Sequence, residues 1–225
     1  MTEGGALLRS DPSKRHRPAI TLESAGLLIV DMQNLCAKPG VGELAAAGAP
    51  DYDGPDRYYR DRVVETVVPN LQRLEAACRN AGVEVLFTVI ESLTRDGRDR
   101  SLDYKLSNMH VPKGAYEARV VDEIAPIDDE IVIPKTASSV FNATNIDYVL
   151  RNLGIRDLIV TGVCTDQCVE GAVRDAADRG YLVTLVEDAC ATHSQAEHDA
   201  ALHVLKGYGR VLSTDAVIAE IEKRA

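Results

Sequence analysis

No apolar run in this chain approaches the ~18–20 residues that a membrane-spanning helix requires, which argues against a transmembrane protein. The N-terminal segment MTEGGALLRSDPSKRHRPAI lacks the apolar h-region of a secretory signal, so a cytoplasmic location is the default expectation. A basic excess is missing too. Lys and Arg number 25 against 35 Asp and Glu, a formal net charge of −10 at pH 7. A nucleic-acid binder needs a basic face to neutralise phosphates, so nucleic acid is not an expected partner. The acidic balance favours, weakly, the approach of neutral or cationic small molecules. Five cysteines in 225 residues do not make a disulfide framework. Cys36, Cys78 and Cys190 stand apart from one another and read as buried thiols.

What is present is an ordinary globular balance, 45% hydrophobic and 27% charged, in a chain long enough to bury a substantial core. Residues 1–22 read as a flexible arm carrying a small basic patch (Arg9, Lys14, Arg15, His16, Arg17), and 23–225 as a single domain. Apolar runs at 26–31, 83–90, 130–135, 157–163 and 181–189 are nearly continuous in Val, Ile and Leu, the signature of strands buried on both faces. A sixth, short strand is expected near 209–213. Between them, 61–80, 144–153, 166–179 and 194–206 have helical spacing and stop near Gly82, Gly154, Gly180 and Gly207. This alternation predicts an α/β fold with a parallel sheet, right-handed crossovers and helices on both faces. Two stretches interrupt it, 36–59 and 91–114. Both leave the carboxyl edge of the sheet, where open α/β folds bind ligands, and both are candidate lids or substrate loops.

Three chemically able groups fall at the carboxyl ends of three expected strands: Asp31, Lys135, and the pair Cys164 and Cys168 in VTGVCTDQCVEGAVRDAADRG. Taken singly, each reads as a turn cap, a solvated ammonium or a small core residue. Together they place an acid, a base and a thiol on one edge. Zinc would need two further ligands, and no second Cys/His cluster has suitable spacing; His193 and His198 read as surface or packing residues. A redox pair would favour a C-x-x-C spacing. A nucleophile at a helix start fits better. There a thiolate beside an ammonium is expected to have a lowered pKa, and outward-facing N–H groups suit an oxyanion. Cys168 lies inside the first helical turn and is the better nucleophile, whereas Cys164 matters more for its backbone N–H.

The segments LLIVDMQN, VIPKTASSVFNATNIDYVLRNLGI, LIVTGVCTDQCVEGAVRDAADRGY and VTLVEDACATHS, in that order, resemble the isochorismatase-like cysteine hydrolase superfamily. The resemblance runs from about residue 25 to the end. It implies a three-layer αβα sandwich around a six-stranded parallel sheet, and a catalytic triad of Asp31, Lys135 and Cys168. It also implies a cis peptide between Val163 and Cys164, and an oxyanion hole from the N–H groups of Cys164 and Cys168. No cofactor is implied, and a homodimer or homotetramer is. True isochorismatases lack the cysteine, and nicotinamidases carry an Asp-x-His metal motif that is missing here, so no metal is expected. The similar branch is the amidohydrolases of ureido, carbamoyl and cyclic amide compounds, among them N-carbamoylsarcosine amidohydrolase and streptothricin hydrolase. Asn34, Glu91, Tyr104 and Phe141 are candidate substrate contacts. The competing readings are a nicotinamidase-type aromatic amidase and a catalytically idle member that binds a ligand through the same cleft.

Overall fold

The computed structural model describes residues 17–49 and 51–225. Arg9, Lys14, Arg15 and His16 of the expected basic patch lie outside the described residues. Six strands coincide with the expected apolar runs to within two residues at each end: β1 (Ala25–Val30), β2 (Glu84–Ile90), β3 (Ile131–Lys135), β4 (Asp157–Val163), β5 (Leu182–Ala191) and β6 (Arg210–Leu212). They pair in parallel in the order β3-β2-β1-β4-β5-β6.

Alternate residues of the central strands serve opposite faces, as the period of two requires. Leu27 and Ile29 join Phe87 and Ile159 in one core, covered by Val67, Leu71, Leu74, Val217 and Ile221. Leu28 and Val30 join Leu86, Leu158 and Val160 in the other, covered by Ile146, Leu150, Val173, Leu202 and Leu205. Every residue of β1 and β4 is buried, which is why these strands are nearly continuous in apolar residues, with Asp157 and Thr161 of β4 the polar exceptions. The result is a three-layer αβα sandwich.

One layer holds a long helical run (Arg57–Arg62, a π turn Val63–Val67, then Val68–Asn80) and the C-terminal helix Thr214–Glu222. The run starts four residues before the expected helix. The C-terminal helix was not anticipated; Ser213 caps it by accepting the Ala216 N–H at 3.3 Å. The other layer holds Ile146–Asn152, Glu170–Asp178 and Gln195–Leu205. Of the expected arm, 17–22 is anchored. Arg17 donates to the carbonyls of Gly207 (2.8 Å) and Gly209, Ile20 is buried, and the Ile20 N–H donates to Glu220 at 3.3 Å.

The chain steps outward from β1 to β2 to β3, then returns to lay β4 against the other side of β1. Connections leaving β1 and β4 therefore diverge, and a crevice opens beyond their carboxyl ends. Close approach of these two strands depends on Gly162, which pairs with Val30 and has a φ of 108°. A Cβ there would meet the Val30 carbonyl oxygen and stand 2.7 Å from its nitrogen, a backbone contact that no rotamer relieves. Gly162→Ala is expected to destabilise the protein by at least ~1–3 kcal/mol from the disfavoured φ alone. The check is a lowered urea midpoint with an unchanged slope.

Candidate active site

Asp31 directly follows β1, in the left-handed region at φ 54°. Its N–H donates to the Thr88 carbonyl at 3.0 Å, and its Oδ1 accepts from the Thr88 hydroxyl at 3.0 Å. β2 thus holds both the backbone and the carboxylate of Asp31. Lys135 is the last residue of β3, two strands away, and its stem crosses the end of β2 to bring Nζ within 2.8 Å of Asp31 Oδ2. Both side chains are shut off from solvent. The same Nζ donates to Cys168 Sγ at 3.3 Å, to the Ala137 carbonyl at 3.1 Å and to the Tyr104 hydroxyl at 3.2 Å.

Cys168 comes from the other side of the switch point. β4 ends at Val163, the Val163–Cys164 peptide bond is cis, and a π turn, Thr165–Val169, leads into the helix Glu170–Asp178. The N–H groups of Gln167 and Val169 both donate to the Cys164 carbonyl, at 3.1 and 3.2 Å, and so wind the turn around it. Cys168 Sγ also lies 3.6 Å from the Ser138 hydroxyl.

The electrostatics of the group correct one expectation. Burial opposes the Lys135 ammonium, but Asp31 and Cys168 outweigh it, and its pKa is raised. The Cys168 thiol is not acidified. Burial and the Asp31 carboxylate push it up to about 11, although Lys135 pulls the other way. With its charge already compensated by Asp31, the ammonium cannot offset desolvation of a thiolate. All five cysteines are free and buried.

Asp31, Cys164, Cys168, Tyr104 and Ser138 face one cavity of about 490 Å³. Both interrupting stretches contribute to its wall, the first through Cys36 and Glu43 and the second through Asp103, Tyr104 and Met109. Of the four candidate substrate contacts, Tyr104 is on this wall. The other three lie elsewhere. Asn34 is buried and donates to the Tyr116 carbonyl at 3.0 Å, and Glu91 accepts the Gly114 N–H at 2.7 Å, so each ties down a loop. Phe141 packs against Tyr181 (centroids 5.9 Å apart) and under the Arg179 guanidinium. Thr88, Ser138 and Glu43 were missed from the sequence. Ser138 stands three residues after Lys135 and Thr88 is the hydroxyl inside an apolar strand, both local signals; Glu43 carries none. Among the described residues, no group of three or more His, Cys, Asp or Glu is placed to share a metal ion.

The two histidines differ. His193 is exposed, stacked 4.8 Å from Tyr59, with Nε2 3.9 Å from Cys164 Sγ. His198 is buried between two polar partners. Arg62 can only donate, so His198 Nε2 accepts from it at 2.8 Å, and Nδ1–H is left to donate to the Thr165 hydroxyl at 2.9 Å. Arg62 in turn holds the Cys190 and Glu187 carbonyls. This chain fastens the nucleophile's turn to the opposite helix layer.

Residues 25–216 match the isochorismatase domain, and the chain belongs to that family, the isochorismatase-like cysteine hydrolases. It is 33% identical over 165 residues to N-carbamoylsarcosine amidase of Arthrobacter sp., a match covering 71% of this chain and 62% of that relative's length. Among solved structures it resembles a cysteine hydrolase from Pseudomonas syringae pv. phaseolicola, with a TM-score of 0.80 and 26% identity over 95% of this chain and 100% of that one. It also resembles N-carbamoylsarcosine amidase from Thermoplasma acidophilum, with a TM-score of 0.66 and 26% identity over 85% and 97% of the two chains.

Burial, with Arg62 beside it, lowers the His198 pKa to about 4 from an ordinary 6.5. On acidification the unfolded chain takes up this proton first, so stability falls as pH drops from about 6.5 to about 4. The full loss is about 3 kcal/mol. Urea titrations across that window are expected to show this slope in the wild type and a flatter one in His198→Gln.

Proposed function

We propose that this protein hydrolyses a C–N amide bond (ureido, carbamoyl or cyclic amide) of a small molecule through a thioester on Cys168. The observation that carries the reading is the convergence on Lys135 Nζ. A carboxylate at 2.8 Å and a thiol at 3.3 Å, delivered from opposite sides of the switch point and both lining one cavity, meet one buried ammonium. Kinship with N-carbamoylsarcosine amidases supports the choice of bond.

In this reading Asp31 takes the Sγ proton as the sulfur attacks the carbonyl carbon. With the thiol pKa up at about 11, a free thiolate is scarce at neutral pH and the proton must move during attack. Lys135 balances negative charge as it shifts from carboxylate to sulfur. The N–H groups of Cys164 and Cys168 hold the carbonyl oxygen as it becomes an oxyanion. When the C–N bond breaks, Asp31 returns the proton to the departing nitrogen. Water then attacks the thioester, Asp31 accepts its proton, and that proton goes back to the sulfur as the acid is released.

A panel of ureido, carbamoyl and cyclic amides, read by ammonia or amine release, identifies an accepted compound. On it, Cys168→Ala is expected to lower turnover by on the order of 10³-fold or more, with circular dichroism unchanged. Retained hydrolysis in that variant would contradict the mechanism. Nicotinamide belongs in the panel as the aromatic competitor and is expected to be left intact.

A further inference from the structure

The cavity is lopsided in charge. Among the described residues five carboxylates line it, Asp31, Glu43, Asp103, Asp166 and Glu170, against one lining cation, Arg174. Three of the five are committed to protein partners: Asp31 to Lys135, Glu170 to Arg174 at 2.7 Å, and Asp166 to the Thr192 hydroxyl. Glu43 is not. It sits on the turn Gly42–Ala47 in the first interrupting stretch, open to the solvent that fills the cavity. Desolvation against the cavity wall raises its pKa and the charge of His193 opposes this, but among the described residues it forms no ion pair. Its near neighbour is the buried Cys36 thiol, whose own pKa burial pushes up and which therefore stays a neutral donor. Glu43 shares the cavity wall with Asp31, Cys164 and Cys168. A wall carboxylate with no ion-pair partner attracts a bound cation and repels a bound anion.

We propose that Glu43 sorts substrates by charge, so that the part of the substrate beyond the scissile amide is a cation, an ammonium or a guanidinium. Anionic amides, such as N-carbamoyl amino acids with their free carboxylate, are disfavoured by the same group. This rests on the amidase reading of Cys168 and deepens it by naming the substrate class. Asp103, exposed on the helix Leu102–Leu106, also forms no ion pair among the described residues and contributes a weaker field from the second loop.

The test needs no knowledge of the substrate. Methanethiosulfonates transfer an alkylthio group to a cysteine sulfur: an S–S bond forms, the thiol proton is lost to solvent and methanesulfinate leaves. The probes are the 2-aminoethyl (cationic), 2-sulfonatoethyl (anionic) and methyl (neutral) reagents. Each rate at Cys168, followed by peptide mass mapping, is divided by the rate on free 2-mercaptoethanol. The wild type is expected to favour the cation over the anion by about tenfold or more after this normalisation, the range of a steered charged encounter. Glu43→Gln should shrink the ratio at least about threefold and Glu43→Lys should bring it below one, as a fixed charge near the reacting sulfur requires. A wild-type ratio near one, or an equal ratio in all three proteins, overturns charge selection while leaving the amidase reading standing. A Cys168 that reacts with none of the reagents overturns both.

Discussion

Lys135 and Asp31 face each other across 2.8 Å with neither side chain touching solvent. Removing two such charges from water costs several kcal/mol per ion, and their attraction alone does not make the pair a stabilising feature. Part of the remaining bonding capacity is filled, although Asp31 Oδ2, which the ammonium faces, accepts no hydrogen bond among the described residues. Thr88 donates to the other carboxylate oxygen, and the Ala137 carbonyl and Tyr104 hydroxyl accept from the ammonium. Burial and the carboxylate together keep Cys168 protonated against the pull of the ammonium, and that carboxylate is also the base at hand.

The topology explains why these groups can meet. Asp31 and Cys168 follow the two strands on either side of the switch point, and Lys135 follows the edge strand beyond β2. Only a long side chain spans β2 to reach that point, which suits lysine. Gly162 lets β4 approach β1 one step before Asp31, and the Arg62–His198–Thr165 chain secures the turn that carries the sulfur. The interrupting stretches then close the cavity from above, since each begins where a strand ends.

Much of this was legible in the residues. Strands β1 and β4 are buried on both faces and are therefore nearly continuous apolar runs. Residues at strand ends are fixed by that register, which is why Asp31, Lys135, Cys164 and Cys168 could be placed on one edge before any coordinates. Other features depend on contacts between distant segments. The expected acidity of Cys168 failed because Lys135 and the helix start are outweighed by burial of the thiol and by the Asp31 carboxylate. Asn34, Glu91 and Phe141 sit near strand ends in sequence, yet their side chains turn to the Tyr116 carbonyl, the Gly114 N–H and the Tyr181 ring. His198 looks like a surface residue of a polar helix, and only Arg62, 136 positions earlier, makes it an acceptor. The C-terminal helix had a local signal, Ser213 before an apolar periodic run, that went unread beyond the last strand.

The pH dependence of Cys168 alkylation by iodoacetamide measures the coupling of the three groups directly. The account predicts an apparent thiol pKa near 11 in the wild type, a lower value in Asp31→Asn and a higher one in Lys135→Met. A thiol titrating near the ordinary value of 9.0 and unmoved by either substitution would contradict it.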